Sequence, residues 1–171
     1  MKITNKGEYG LRLMIRLARN YELGRPMTTH ELAETERLPE DYVQKLLWQL
    51  LRSGLIKSHR GPKGGFTLAR SPKEITARQI VWELEGGIFE VACVRFMEGD
   101  SRCMYLDLRD CGLRALWVNI YRKVNDMLSE ATLELLIQEE DRVKERLALV
   151  SGRERGPQPA GVSLTGQITT G

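Results

Sequence analysis

The stretch Leu38-Pro39-Glu40-Asp41-Tyr42-Val43-Gln44-Lys45-Leu46-Leu47-Trp48-Gln49-Leu50-Leu51-Arg52, followed by Ser53-Gly54, decides the fold. Proline near the first helical position and acids in the first turn are helix start signals. Val43, Leu46, Leu47, Leu50 and Leu51 then recur at steps of three and four and form one apolar stripe. The opposite face carries Tyr42, Gln44, Lys45, Gln49 and Arg52, and Gly54 is the C-terminal stop. One face of this helix belongs to a core. The other carries side chains that can reach a partner.

The flanking residues supply its support. Thr28 with Glu31 three residues on is a capping box, so a short helix starts there and stops near Arg37. Residues 21–26, with Gly24 and Pro26, read as a loop. Before them Tyr9, Leu11, Leu13, Met14, Leu17 and Ala18 recur at helical spacing, which predicts a helix over 6–19. Two short helices joined by a few residues, the second with polar reach, make a helix-turn-helix. Two short runs then follow, 55–60 and 66–69, around Gly61-Pro62-Lys63-Gly64-Gly65. That is a hairpin, and directly after a helix-turn-helix a hairpin is a wing. The glycine-rich loop is no phosphate-binding P-loop, because the G-x-x-x-x-G-K-[ST] spacing is missing. Thr76 with Gln79 is a second capping box. It opens a helix through Ile80, Val81, Trp82 and Leu84 that Gly86-Gly87 ends.

Residues 88–111 read as irregular and hold all three cysteines, Cys93, Cys103 and Cys111, with nine and then seven residues between them. From Leu113 the apolar positions Leu116, Trp117, Ile120, Val124, Met127 and Leu128 predict one long helix with a stripe suited to helix–helix packing. Residues 132–149 are helical in pattern but more charged. Residues 151–171, rich in Gly, Pro, Ser and Thr, read as a disordered tail. Trp82 and Trp117 lie on apolar stripes and are assigned to the core, while Trp48 fits either core or surface. His30 and His59 read as ordinary polar contacts.

The expected architecture is mainly α with a small β wing, a winged helix-turn-helix plus a long dimerisation helix. Its parts are a DNA-binding domain over 1–87, a cysteine segment over 88–111, the dimerisation helix and its successor over 112–150, and the tail. Residues 1–75 carry 14 Lys/Arg against 8 Asp/Glu, an excess of +6 within a chain of net charge +3. The front half is therefore the side for a polyanion. No apolar run approaches the roughly 18–20 residues of a membrane span. The polar start from Met1 to Tyr9 has no secretion-signal core. A cytoplasmic protein is expected, in a compartment where structural disulfides are rare. Clustered cysteines then point to metal or redox chemistry, as an iron–sulfur site, a zinc site or a thiol pair with one spare, against simple burial as small hydrophobes. Zinc is disfavoured by the wide gaps, since structural zinc sites prefer tight C-x2-C pairs. No nucleophile–base or carboxylate pair asks for catalysis, and C-x-x-C is absent, so the chain reads as a regulator and not an enzyme.

Three stretches carry a resemblance. The start Met1-Lys2-Ile3-Thr4-Asn5-Lys6-Gly7-Glu8-Tyr9, the wing Arg60-Gly61-Pro62-Lys63-Gly64-Gly65-Phe66, and Cys111-x-x-Arg114-x-x-Trp117 resemble the winged-helix transcriptional regulators of the IscR, NsrR and RirA type, over roughly residues 1–138. The resemblance implies a homodimer on double-stranded operator DNA. It also implies an iron–sulfur cluster, 2Fe–2S or 4Fe–4S, on Cys93, Cys103 and Cys111, sensing redox state, nitric oxide or iron status. It further implies a carboxylate ligand supplied from the first helix of the partner subunit, at the position of Glu8. The cysteine gaps here are longer than the family's usual ones, and no histidine follows Cys111. Asp107 and Asp110 are the local alternatives to Glu8. A regulator without a cluster, sensing by cysteine oxidation or partner-protein binding, is the competing reading. The candidate DNA contacts are Thr28, Pro39, Tyr42, Gln44 and Lys45 around the reading helix, and Arg60, Gly61 and Lys63 on the wing. The reading helix is assigned to the major groove and Arg60 to a minor groove.

Overall fold

The computed structural model describes residues 4–61, 64–87 and 111–153. Among these the order is α1 (Asn5–Arg19), α2 (Thr29–Glu36), α3 (Glu40–Arg52), β1 (Ile56–His59), β2 (Gly65–Leu68), α4 (Ala77–Glu85), α5 (Gly112–Glu130) and α6 (Leu133–Arg153). The fold is mainly helical with one two-stranded sheet, a winged helix. The chain divides into two compact units, Met1–Gln138 and Glu139–Gly171.

The local signals work as chemistry predicts. Thr28 accepts a hydrogen bond from the Glu31 N–H while the Glu31 carboxylate accepts from the Thr28 N–H, so both halves of the α2 capping box form. Thr76 and Gln79 do the same for α4. Pro39 stands at the N-cap of α3, one residue before the helix proper. Between α2 and α3 the chain turns on Arg37, whose φ of 55° is left-handed for a side-chain-bearing residue.

The core forms where the helical stripes meet. Leu13, Met14 and Leu17 of α1, Leu32 of α2, Leu46, Leu47 and Leu50 of α3, and Ile80 and Leu84 of α4 are fully buried, with Ile56, Ile75 and Leu133. Each such side chain contributes roughly 1.5–3 kcal/mol relative to exposure. Helix α1 is the centre of this packing. It lies so close to α4 that a Cβ on Gly10 would stand 1.9 Å from Cδ1 of Leu84.

The wing pairs Ile56 with Leu68, Lys57 with Thr67, Ser58 with Phe66 and His59 with Gly65 in an antiparallel ladder. Sequence patterning missed its third member. Met27, beyond the residue 21–26 loop, exchanges both backbone hydrogen bonds with Phe66, at 3.0 and 2.8 Å. That contact needs a glycine at position 65: its φ is 144°, and a Cβ there would lie 2.5 Å from the Met27 carbonyl oxygen.

Three expectations change. Trp82 and Trp117 are half-buried and not core. The Trp82 ring instead lies under the Arg78 guanidinium, 5.2 Å from its centroid, a cation–π arrangement within one helix turn. Helix α6 runs to Arg153, so the first three residues of the expected tail are helical. The stripe of α5 divides in two. Ile120, Val124 and Leu128, with Tyr121, pack on Val81 of α4 in the same chain. Leu113, Leu116 and Met127 remain 58%, 52% and 70% exposed. At about 100° per residue, Leu116 and Met127 share one flank of the helix. In the second unit Lys144 pairs with Glu140 and Asp141 at 3.7 and 3.8 Å, contacts that contribute little at a surface. Among the described residues no helix is long and apolar enough to cross a membrane.

Candidate nucleic-acid interface

Helix α3 presents two faces. Val43, Leu46, Leu47 and Leu50 are buried, while Gln44, Lys45, Trp48, Gln49 and Arg52 are exposed. Tyr42 leaves the polar face to which its spacing assigned it. It is half-buried and meets Tyr9 of α1 edge-on, with ring centroids 6.1 Å apart. Burial pushes its phenol above the ordinary 10.0, with the neighbouring Tyr9 and Glu85 acting the same way. It therefore stays a neutral hydrogen-bonding group.

The N-terminal ends of α2 and α3 and the base of the wing adjoin. His30, two residues past the Thr28 cap, contacts Glu40, the first residue of α3, through Nδ1 and Oε2 at 3.3 Å. Thr28 and Gly64 line one cleft of about 640 Å³, together with Leu23, Arg25 and Glu31. Thr28 and Pro39, each at the N-cap of its helix, are both exposed. The Glu31 carboxyl lies below its ordinary 4.5, held by the backbone hydrogen bond from Thr28 first, against the cost of desolvation. Arg60 and Gly61 are exposed at the end of β1. His59 contacts Thr67 across the ladder at 2.9 Å. Lys63 lies outside the described residues.

Two carboxylates that no sequence pattern picked out hold this unit together. Glu36, whose side chain is 2% exposed, accepts from Arg16 and, at 3.3 Å, from Arg12 of α1. Arg12 is raised above its ordinary value, first by the Glu36 hydrogen bond, and also reaches Glu8 at 3.4 Å. At the far end of α4, Glu85 Oε1 accepts from the Thr4 N–H at 3.0 Å, the Thr4 hydroxyl at 2.7 Å and the Gly7 N–H at 2.8 Å. It thereby satisfies orphan donors in the first turn of α1. A carboxylate usually reads as a solvated surface group. Only the approach of α1 to α2 and α4 makes these two structural.

Of the three candidate sulfur ligands, the described residues include Cys111 alone. It is a half-buried free thiol at the N-cap of α5 and makes no side-chain capping hydrogen bond. Cys93, Cys103, Asp107 and Asp110 lie outside the described residues. Glu8 stands in the first turn of α1, with its side chain 59% exposed and ion-paired to Arg12. Among the described residues no group of three or more His, Cys, Asp or Glu is placed to hold a metal ion.

The Rrf2 family, described as an iron-dependent transcriptional regulator, matches residues 3–139. The regulator CymR of Bacillus subtilis is 37% identical over 134 residues, 78% of this chain and 88% of its own. Its solved structure, described as the global cysteine regulator of B. subtilis, covers 81% of this chain and 98% of its own with a TM-score of 0.66. The structure of T. potens IscR is 26% identical, covers 84% of this chain and 90% of its own, and has a TM-score of 0.64. The oxidised form of Staphylococcus aureus CymR is 33% identical, covers 80% and 96%, and has a TM-score of 0.61.

Proposed function

We propose, from the premise that the chain belongs to the Rrf2 family of transcriptional regulators, that it binds operator DNA as a symmetric dimer whose affinity is set by the cysteine segment. The observation that carries the DNA reading is the exposed face of α3, with Gln44, Lys45, Gln49 and Arg52 opposite a fully buried stripe. In the major groove a glutamine pairs with adenine edges, and a lysine reaches guanine or phosphate. Thr28, Pro39 and Tyr42 adjoin the entry of that helix, and Arg60, Gly61 and Lys63 belong to the wing, with Arg60 suited to a narrow minor groove. Such a regulator acts where the DNA is, which places it in the cytoplasm.

The dimer reading rests on the exposed flank of α5. Leu113, Leu116 and Met127 are unburied in one chain, and a second copy related by a two-fold axis would cover them. A dimer of this kind presents two copies of α3 to a near-palindrome.

The residues present fit an iron–sulfur cluster in donor chemistry. Three thiolates are soft ligands of the kind such clusters take, and Cys111 keeps its sulfur out of the helix cap. Cys93, Cys103 and Cys111 would hold the group, with Glu8 of the partner subunit, or Asp107 or Asp110 locally, at the remaining position. Bound there, a cluster supplies chemistry responsive to oxygen, nitric oxide or iron. The protein's own part is mechanical. Cys111 stands at the N-cap position of α5, and α5 packs on α4, which holds the start of α1 through Glu85. Coupling of about 1–3 kcal/mol would change operator affinity roughly 5–150-fold.

A second reading has its own support. The 37% identical CymR belongs to a protein described as a global cysteine regulator, and a 33% identical CymR has a structure of an oxidised form. In that reading the same three thiols act by oxidation or partner binding without iron. Anaerobic purification followed by an absorption spectrum and iron and sulfide assays separates the two. Stoichiometric iron and sulfide, lost on substitution of Cys111 by Ala, supports the cluster. Metal-free protein that binds DNA differently before and after mild oxidation supports the thiol reading. If Glu8→Ala leaves the cluster spectrum unchanged while Asp107→Ala or Asp110→Ala disturbs it, the cross-subunit ligand is excluded.

A further inference from the structure

Trp48 is 56% exposed on a helix whose other large apolar side chains are buried or half-buried. Its neighbours on the solvent face are Gln44 at i−4, Lys45 at i−3, Gln49 and Arg52 at i+4, all exposed. Residues three and four apart on a helix are side by side. Among the described residues none of these five side chains has a hydrogen bond or ion pair within the chain. A lone exposed apolar residue is ordinary on a protein surface. Here it stands in the middle of a polar face, in the half of the chain that carries the +6 charge excess, and nothing inside the fold holds it.

We propose that Trp48 is a specificity residue that packs its indole ring against the 5-methyl group of a thymine in the major groove. This rests on α3 being the reading helix and adds a named contact and a named base to it. The physical reason is the mismatch between the indole and the rest of the face. An indole offers one N–H donor and no acceptor, so it is poorly equipped for the paired donor–acceptor code that glutamine and arginine read. Its large apolar surface matches the one apolar feature of the major groove, the thymine methyl. Four residues at about 1.5 Å each, about 6 Å, separate Trp48 from Gln44 along the axis, which is a little under two base-pair steps of about 3.4 Å. The thymine read by Trp48 therefore lies one to two base pairs from the adenine suited to Gln44. Burying the ring against the duplex also removes the exposed apolar area that costs solvation in the free protein.

The test uses the full chain and a duplex selected by the wild-type protein from a random-sequence pool. Each thymine in turn is replaced by deoxyuridine, which lacks only the methyl, and binding is measured for wild type, Trp48→Ala, Trp48→Phe and Lys45→Ala. One deoxyuridine position should weaken wild-type binding about fourfold, the worth of one buried methyl. It should weaken Trp48→Phe similarly and leave Trp48→Ala unaffected. If deoxyuridine at every position affects wild type and Trp48→Ala equally, while Lys45→Ala binds weakly, the thymine contact is overturned and α3 remains the reader. If Trp48→Ala and Lys45→Ala both bind like wild type, the assignment of α3 falls and the thymine contact falls with it. Trp48→Ala should fold normally by circular dichroism, because the side chain contributes little to the core.

Discussion

Removing the Glu85 carboxylate should loosen the start of α1 from the end of α4, and the structure sets the size of the effect. Glu85 Oε1 accepts three hydrogen bonds, from the Thr4 N–H, the Thr4 hydroxyl and the Gly7 N–H, at 3.0, 2.7 and 2.8 Å. A hydrogen bond to a charged group contributes about 1.5–3 kcal/mol net. The three share one oxygen and two come from one residue, so they do not add. Glu85→Ala should cost about 2–4 kcal/mol, a large part of the roughly 5–15 kcal/mol of a typical fold. For a chain of this size that lowers Tm by roughly 5–15 °C. Glu85→Gln keeps an acceptor but loses the charge at a helix N-terminus, and should cost about 1 kcal/mol. The pH dependence gives a second readout. Burial alone would raise the Glu85 carboxyl, but the hydrogen bonds from Thr4 and Gly7 and the charge of Lys6 outweigh it and hold the group below its ordinary 4.5. A depressed carboxyl contributes stability that is fully present above the unfolded value and is lost as pH falls through the folded one. Wild type should therefore lose stability below about pH 4.5 more steeply than Glu85→Gln. Urea unfolding of the three proteins at pH 7, and of wild type and Glu85→Gln down to pH 3.5, measures both effects. If Glu85→Ala matched wild type at pH 7 and the two pH profiles ran parallel, the clamp reasoning would be refuted.

Other expectations concern packing, the turn, the dimer and the DNA face. Gly10→Ala should destabilise by about 1–2 kcal/mol in thermal unfolding, because its Cβ would press on the buried Leu84 side chain by more than the gain in helix propensity. Arg37→Gly should stabilise the fold by about 0.5–1 kcal/mol, by relieving the left-handed backbone between α2 and α3; a destabilised variant would contradict this. In sedimentation at matched concentration, Leu116→Glu or Met127→Glu should yield folded monomers. Ile120→Glu should lower Tm first, since Ile120 packs on Val81 in its own chain. A dimer that survives both flank substitutions would remove α5 as the interface. Arg60→Ala and Lys45→Ala should each reduce the salt slope of operator binding by about one; an unchanged slope and affinity would take that residue out of the contact.

The linear sequence determined whatever depends on a few adjacent residues. The capping boxes Thr28–Glu31 and Thr76–Gln79 stand where their spacing put them, because a cap is a contact between residues three apart. The buried stripe of α3 follows from helical period alone, and the hairpin follows from two short runs on either side of the Gly61 to Gly65 loop. Most of the exposed face of α3 was legible for the same reason: polar residues opposite a buried stripe have to be exposed. The tertiary structure decided everything that depends on which neighbour arrives. Tyr42 has the spacing of the polar face, but Tyr9 of α1 draws its ring inward. Glu36 and Glu85 look like surface acids until arginines or helix N–H groups from distant segments surround them. Met27 joins the wing only because glycine at position 65 lets two backbones meet. The apolar stripe of α5 was readable in full. Its division between α4 and an open flank was not, since periodicity gives the angle of a side chain and says nothing of what stands beside it.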